Sequence, residues 1–376
     1  MDRRVLSGKG VYGVFAFDFD REEPLLSDEQ AGLDPSVPKT GATLSDKSVA
    51  LFLLDVRSNK SPWVPGYSNP EGEFDGDFLG EEQWNWFEES LARSTARVNI
   101  VVTGLQVHPD RWFDGQLVEE WSRYPSSQHR LYQNLLQPGV RSPMIVSGDV
   151  HMAEYSRRDC RKTNDMSTTR SLMEVTTSGM THSWGTMPCF KPMESFICAT
   201  NYVKWYLATA MHLAHINHGW KHLIDDYGPS QEKTKRRVQY SLDMNFGEFE
   251  FDWDSEQVTV RILGLGTDEG RPPLLSRTWG FAELSGDNGR GFNPTCKLQD
   301  DDFRDRFELL SDRMEVAPDD WICLNNQGVN SSFQKFIGPF SALCAAFTMF
   351  YVFPVVVSIF LYRSIMRKYT SKSKMD

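Results

Sequence analysis

A short apolar run, Pro143–Ser147, ends directly in Gly148, and an acid and an imidazole follow as Asp149 and His151. A buried strand that stops at a glycine delivers the next residues to the carboxyl edge of a sheet, where open α/β sheets hold their ligands. Asp and His two positions apart point the same way, so both can face one hard or borderline cation. On its own, Gly-Asp-x-His is weak evidence for a metal site, because residues this common produce the motif by chance in some chains of this length. Other features of the chain have to support the assignment.

Strand-like and helix-like runs alternate around this motif. Strands are predicted over 49–54, 98–103, 143–147 and 171–177, and helices over 80–94 and 126–136. This alternation is typical of an α/β layer fold. Residues 246–253 and 258–263 then alternate apolar and polar residues, which predicts an antiparallel hairpin with one buried face.

Four predicted strands end in polar side chains. These are Asp55 and Arg57, then His108, then Asp149 and His151, and finally Thr181 and His182. In a sheet of mainly parallel strands these ends share one edge. Carboxylate and imidazole hold metals, a metal-bound water loses its proton near neutral pH, and Arg or His balances charge in the transition state of a hydrolysis.

Most of these groups also have a structural interpretation. Asp55 and Arg57 could form a structural ion pair. His108 could be an ordinary loop residue, and Thr181 with His182 could cap the next segment. The pair at the end of the Pro143–Ser147 strand is the hardest to dismiss, because a charge at a buried strand end is costly without a partner.

The net charge of −11 argues against a nucleic-acid-binding protein, which would show a basic face. Residues 337–362 carry no charge and form a run long enough to cross a bilayer, followed by Arg363 and Arg367. Basic flanks favour the cytoplasmic side, so this predicts an extracellular or lumenal body. The first residues contain no apolar signal-peptide core, which read literally predicts a tail-anchored protein with a cytosolic body.

Histidines at helical spacing form a second candidate site. They are His212, His215, His218 and His222. This spacing permits a zinc site, but a helix packed on the body or on the membrane surface explains it as well. Five cysteines precede the apolar run, and their spacing matches no metal motif.

A series of short motifs resembles a known family. In chain order the motifs are Leu53-Leu-Asp55-Val-Arg57, Leu79-Gly-Glu-Glu-Gln-Trp84-Asn-Trp86, Gly104-Leu-Gln-Val, Glu120-Trp121 with Pro125 and Arg130-Leu131, Ser147-Gly-Asp149-Val-His151, Thr177-Ser-Gly-Met-Thr181-His182-Ser-Trp184 and Asn245-Phe-Gly247. Together they resemble the PhoD-like (alkaline phosphatase D) metallophosphatases of the calcineurin-like metallophosphoesterase superfamily. The resemblance covers roughly residues 10 to 265.

The resemblance implies a four-layer α/β/β/α sandwich with two or more divalent or trivalent metal ions, for example Fe, Ca, Zn or Mn. It implies hydrolysis of phosphate esters by a metal-bound hydroxide. Asp149 and His151 match the motif that supplies metal ligands, and His151, Asp55, Arg57 and His182 are the candidate catalytic residues. His108 stands where relatives usually carry an apolar residue, so no role transfers to it.

Members of this family carry a further N-terminal half with its own metal-binding motifs, which this chain does not match. We therefore expect a C-terminal portion of the phosphatase domain over 1–290, an acidic stalk over 291–336, a transmembrane helix over 337–362 and a basic tail over 363–376. Two alternatives stay open. One is a catalytically incomplete membrane protein that acts by binding, and the other is a half-domain completed by an N-terminal half in trans.

Overall fold

A computed structural model describes most of the body and short pieces near the C-terminus. The described residues are 10–37, 43–62, 76–109, 121–183, 240–265, 272–286, 300–311, 315–325, 354–355, 357–359 and 361–363. Strands and helices are numbered below in chain order.

Within the described residues, the main sheet has nine strands. They are β1 (Gly13–Asp18), β2 (Leu25–Leu26), β3 (Ser48–Leu54), β4 (Val98–Thr103), β5 (Pro143–Ser147), β6 (Ala153–Lys162), β7 (Thr169–Thr177), β8 (Tyr240–Ser241) and β12 (Trp321–Asn325). The order is β12-β6-β7-β5-β4-β3-β1-β2, and β8 pairs with β6. The four predicted strands of the α/β region are confirmed as β3, β4, β5 and β7, and they run parallel to one another.

Two amphipathic helices cover one face of this sheet. The short helix α1 (Asp28–Ala31) is followed by α2 (Glu81–Arg93) and α3 (Pro125–Leu135), which confirm both predicted helices. Trp84 and Phe87 of α2 pack in one core with Leu131 of α3 and with Phe52 of β3. Arg130 joins the two helices through ion pairs to Glu88 and Glu81.

A second sheet covers the opposite face. It contains β9 (Asn245–Asp252), β10 (Gln257–Gly264) and β11 (Leu275–Gly280), in the order β11-β10-β9. The predicted hairpin is confirmed by the antiparallel pairing of β9 with β10. Val258 and Val260 pack in a second core with Met144 and Val175 of the main sheet. The described residues thus form a mixed α/β fold with a helix layer and two sheets, while the predicted fourth layer stays a prediction.

The acidic segment after residue 299 differs from the predicted stalk. After α4 (Phe281–Ser285), residues 300–325 contain α5 (Asp300–Ser311) and β12. Phe303 and Leu310 of α5 are buried with Ile322 of β12. The physical reason is that the few apolar side chains of α5 lie on one side of the helix and pack against β12. The acidic composition of the segment does not reveal this packing.

A disulfide between Cys160 of β6 and Cys323 of β12 links this C-terminal addition to the main sheet. The two cysteines face each other across the antiparallel pairing of β6 with β12. Both are buried. The pairing could not be inferred from spacing, because the two residues are 163 positions apart.

Two sequence predictions fall largely or wholly outside the described residues. Among the residues that are described, no helix is long and apolar enough to cross a membrane. Of the run 337–362, the described stretches 354–355, 357–359 and 361–362 are helical. The histidine stripe at 212–222 lies wholly outside the described part of the chain, so the zinc alternative stays a prediction.

We predict that replacing both Cys160 and Cys323 by Ser lowers the free energy of unfolding. The bond closes a chain segment of 163 residues, and loops of this order gain about 2–5 kcal/mol from a disulfide. Urea unfolding with and without a reductant measures the loss. In the double variant the reductant should cause no further loss of this size, and peptide mapping that finds either cysteine paired elsewhere would contradict the assignment.

Candidate functional site

The ends of the parallel strands meet at one edge, as predicted. Leu54, Thr103, Ser147 and Thr176 occupy one row across β3, β4, β5 and β7. The loops that follow these strands carry the predicted site residues. We call this edge of the main sheet the site end.

The loop after β5 presents Asp149 and His151 to solvent through an unusual backbone. Their φ angles are 76° and 53°, in the left-handed region that costs a non-glycine residue about 1–2 kcal/mol. Val150 and Met152 alternate with them and are buried in a small cluster with Tyr240. Burial of these two apolar side chains stabilises the turn, and Asp149 and His151 are exposed as a result. Strain of this kind concentrates at functional sites.

Arg57 connects the loop after β3 to this turn. Its Nη2 lies 3.7 Å from Oδ1 of Asp149, and the two side chains are 59% and 40% exposed. An exposed pair at this distance contributes little to stability, about 0–1 kcal/mol. The guanidinium therefore stands beside the strained turn and can rearrange at low cost when an anion binds.

Asp55 forms hydrogen bonds within its own loop and with the chain before β1. Oδ1 accepts from the backbone N–H groups of Arg57 and Ser58, and Oδ2 accepts from the Ser58 hydroxyl and the Val11 N–H. Burial opposes ionisation of this carboxyl, but the hydrogen bonds from Ser58, Arg57 and Val11 outweigh burial and lower its pKa. Asp55 thus positions the loop that carries Arg57, and a catalytic role for it stays a prediction.

His151, in the loop after β5, and His182, in the loop after β7, lie close together. Their ring centroids lie 4.9 Å apart, and the ring planes are nearly perpendicular at 82°. Both side chains are exposed. Two imidazoles at this separation beside Asp149 can accept or donate protons around one bound ligand. Thr181 is exposed in the same loop as His182.

Asn245 holds the loop that carries His182, a role that the sequence showed only as part of a motif. Its Oδ1 accepts hydrogen bonds from the Thr177 hydroxyl and the Gly179 N–H, and its backbone N–H donates to the Gly179 carbonyl. A Cβ on Gly179 would lie 2.2 Å from Nδ2 of Asn245, and a Cβ on Gly247 would lie 3.1 Å from the Thr177 methyl. Both glycines of these motifs are therefore required for close packing.

A buried polar network beneath the site was missed by the sequence patterns. The Glu174 carboxylate of β7 accepts hydrogen bonds from the backbone N–H groups of Val107 and His108, and these bonds anchor the loop after β4. Burial raises the pKa of Glu174, and hydrogen bonds from the Ser147 side chain and from these two N–H groups only partly offset this effect. Arg158 donates to the His108 carbonyl. From the sequence, Glu174 is only an acidic residue within a predicted strand. Nothing in that pattern indicates that its carboxylate anchors a neighbouring loop.

His108 lies in this network and not at the exposed site. Its ring contacts the Tyr132 hydroxyl and the Leu172 carbonyl, each at 3.1 Å. Burial, reinforced by the charge of Arg158, holds the pKa of His108 well below its ordinary value. The neutral ring is a structural element of the core.

The metal ligands stay incomplete within the described part of the chain. No group of three or more His, Cys, Asp or Glu side chains there is arranged to hold a metal ion. Asp149 and His151 have the right donor chemistry for a hard or borderline cation, but two such groups bind a divalent ion weakly.

We predict that Asp55→Asn lowers the free energy of unfolding at pH 7 by about 1–3 kcal/mol, because an amide cannot accept every hydrogen bond that the carboxylate accepts. The lowered pKa of Asp55 means that its stabilisation is present above the ordinary value of 3.8 and is lost as the pH falls. The difference between variant and parent should therefore shrink in acid. Urea unfolding across this pH range measures it, with exposed Asp254→Asn as control; a difference independent of pH would refute the assignment.

We predict that Gly179→Ala destabilises the protein by about 1–3 kcal/mol, the usual cost of overpacking. The new methyl group would collide with Nδ2 of Asn245. Gly139→Ala is the matched control, since a Cβ there meets nothing within 4 Å. Equal unfolding midpoints in urea for the two variants would contradict the proposed packing.

Comparison with known proteins agrees with the motif series. The family model described as PhoD-like phosphatase matches residues 47–262. A search of curated proteins returned no match. A solved structure titled "Structure of PhoD" is similar at 14% sequence identity with a TM-score of 0.36, and the alignment covers 62% of this chain.

The same alignment covers 40% of the PhoD chain, so this protein spans less than half the length of that neighbour. The family model matches more than half of the present chain and includes β3, β4, β5 and β7 with their loops. The chain belongs to the PhoD-like phosphatase family.

Proposed function

We propose that this protein hydrolyses phosphate esters at the site end and that a C-terminal helix anchors it to a membrane. The observation that supports hydrolysis best is that four side chains converge from three different strand ends: Arg57, Asp149, His151 and His182. One cation that suits an anionic phosphoryl group stands beside two imidazoles and a carboxylate. This combination matches the needs of phosphoryl transfer better than those of acyl or hydride transfer.

In the proposed reaction a water oxygen attacks phosphorus while the ester P–O bond opposite it breaks. The Arg57 guanidinium binds non-bridging phosphate oxygens and balances the charge that develops on them. One imidazole of the His151–His182 pair accepts the proton of the attacking water, and a proton is returned to the leaving alcohol. The strained turn holds Asp149 and His151 in place before substrate binds.

Metal ions are part of this proposal. Asp149 and His151 would contribute ligands, and further donors would be needed to complete the site. A bound cation would supply charge neutralisation and would make water a stronger nucleophile. The identity of the metal follows from neither ligand, since carboxylate and imidazole together suit several first-row ions and calcium.

The disulfide favours a body outside the cytosol. Disulfides persist in oxidising compartments and are rare in the cytosol. An extracellular or lumenal body with the basic tail on the cytoplasmic side also agrees with the charge distribution around the apolar run 337–362.

A second candidate function is binding without catalysis, in a membrane protein that retains the fold. Asp149 and His151 by themselves would hold a divalent cation only weakly, which keeps this alternative open. An N-terminal half supplied in trans would restore catalysis. Metal analysis and turnover of the purified chain, alone and with such a half, separate these cases.

We predict that Arg57→Gln lowers kcat/KM for a chromogenic phosphodiester by about 10²–10³-fold, the usual effect of removing one charge-stabilising donor. Asp149→Asn should abolish the activity while the unfolding midpoint in urea changes little, because the side chain is exposed. Arg97→Gln is the control. Arg97 pairs with Glu256 at the opposite end of the sheet, so activity should be unchanged.

Retained turnover in Asp149→Asn would refute the assignment of the site. Absence of turnover in the parent chain, with or without an N-terminal half, would favour the binding function instead.

A further inference from the structure

We infer that buried Arg158 is a positioning residue for the site end. It holds the loop after β4, residues 104–108, and this loop supports both the turn of Asp149 and the loop that carries Arg57. The inference rests on the proposed function, because it names a residue that prepares the same site. Arg158 lies outside the motif series of the family resemblance, so its role depends on tertiary contacts.

The guanidinium of Arg158 binds main-chain carbonyls of two separate segments. Arg158 is only 2% exposed. Its Nε and Nη2 both donate to the His108 carbonyl at the end of the loop, and its Nη1 donates to the Cys323 carbonyl of β12 at 3.3 Å. A buried cation is costly unless hydrogen bonds satisfy it. These bonds therefore fix the guanidinium, and with it the His108 carbonyl.

Glu174 holds the same end of the loop after β4. Its carboxylate accepts the backbone N–H groups of Val107 at 2.8 Å and of His108 at 2.7 Å. His108 is thus bound at both of its backbone groups, with a carboxylate on the N–H and a guanidinium on the carbonyl. Hydrogen bonds to charged groups contribute more to stability than those between neutral groups. Arg158 and Glu174 together clamp the loop.

The clamped loop contacts the supports of both site loops at Gly104. A Cβ on Gly148 would lie 3.6 Å from the Gly104 carbonyl oxygen, so the residue before Asp149 lies close against the loop. A Cβ on Gly104 would lie 3.4 Å from Cγ2 of Val56, the residue before Arg57. A displacement of the loop would therefore disturb Arg57 and Asp149 together.

A buried hydrogen-bonded chain makes a second connection from the loop to the turn. Gln106 Nε2 donates to the Thr176 hydroxyl at 2.8 Å, and the hydroxyls of Thr176 and Ser147 are 2.9 Å apart. Ser147 is the last residue of β5, two positions before Asp149. All three side chains of this chain are buried, where hydrogen bonds are stronger than in water. The loop and the turn are thus joined on two sides of Gly148.

Hydrogen exchange of the full-length chain, followed by mass spectrometry, tests the positioning without requiring activity. Arg158→Met removes the hydrogen bonds to both carbonyls and keeps an unbranched apolar side chain. We expect amide exchange in residues 104–108 to become about 10–10²-fold faster, as follows from losing hydrogen bonds made by a charged group. Exchange in residues 148–152 should become faster as well, because the turn loses its support.

Arg157→Met is the matched control. Arg157 is the adjacent residue, is buried as well, and forms an ion pair with Asp159. Successive side chains of a strand point to opposite faces, so its loss should leave exchange in both segments at the parent rate. If Arg158→Met fails to fold, Arg158→Lys takes its place and should accelerate the same two segments more weakly.

Three outcomes of the exchange measurement would overturn the inference. The first is no change in residues 104–108. The second is faster exchange in 104–108 with parent rates in 148–152, because the loop would then not support the turn. The third is equal acceleration in every strand of the main sheet, or equal acceleration of both segments in Arg157→Met, because general destabilisation would then explain the result.

Turnover of a soluble chromogenic phosphodiester tests what the positioning does. Arg158→Met should lower kcat by about 10–10²-fold, since misplacing reacting groups by about 1 Å costs up to this factor. KM should change little, because Arg57 keeps its charge. Arg158→Lys should restore part of kcat, because an ammonium group can still donate to the His108 carbonyl. Arg157→Met should keep both parameters, and an equal loss of kcat in that control would contradict the positioning role.

The two measurements separate this inference from the proposed function. If the parent chain hydrolyses no phosphodiester, the proposed function fails, and hydrogen exchange alone still decides whether Arg158 supports the turn. If the parent is active and Arg158→Met turns over at the parent rate, the proposed function stands and the positioning role is excluded.

Discussion

The parallel alignment of β3, β4, β5 and β7 is the constraint on which the site depends. Helices cover one face of these strands and a second sheet covers the other. A strand buried on both faces cannot shift by one residue without exchanging the side chains of its two cores, so the register is strongly specified. The loops that follow the four strands therefore begin at one level, and Arg57, Asp149 and His182 meet although they are far apart in sequence.

Polar side chains below the surface then give the loops their shape. Asp55 holds the loop that carries Arg57, Glu174 anchors the loop after β4, and Asn245 holds the loop that carries His182. The turn at Asp149 is stabilised differently, by burial of the apolar residues that alternate with the strained ones. The exposed groups are thus supported by buried hydrogen bonds and apolar contacts, an arrangement that fixes a site before its ligand arrives.

The C-terminal addition, α5 with β12, packs at one edge of the main sheet. β12 extends the main sheet next to β6, and the bond from Cys160 to Cys323 fastens it there. His129 of α3 contacts Asp320 at 3.0 Å just before β12 begins. β12 is consequently fixed to the core, and its direction along the sheet follows from its antiparallel pairing with β6.

Local patterns in the sequence determined the strands β3, β4, β5 and β7, the helices α2 and α3, the hairpin of β9 with β10, and the family, because periodicity and short motifs are encoded by neighbouring residues. Only the tertiary structure decided that Arg57 contacts Asp149, that His108 is buried, and that Cys160 joins Cys323. The same holds for α5, whose acidic composition predicted a solvated stalk but whose Phe303 and Leu310 are buried. These features depend on surfaces contributed by distant parts of the chain, so no local pattern could have revealed them.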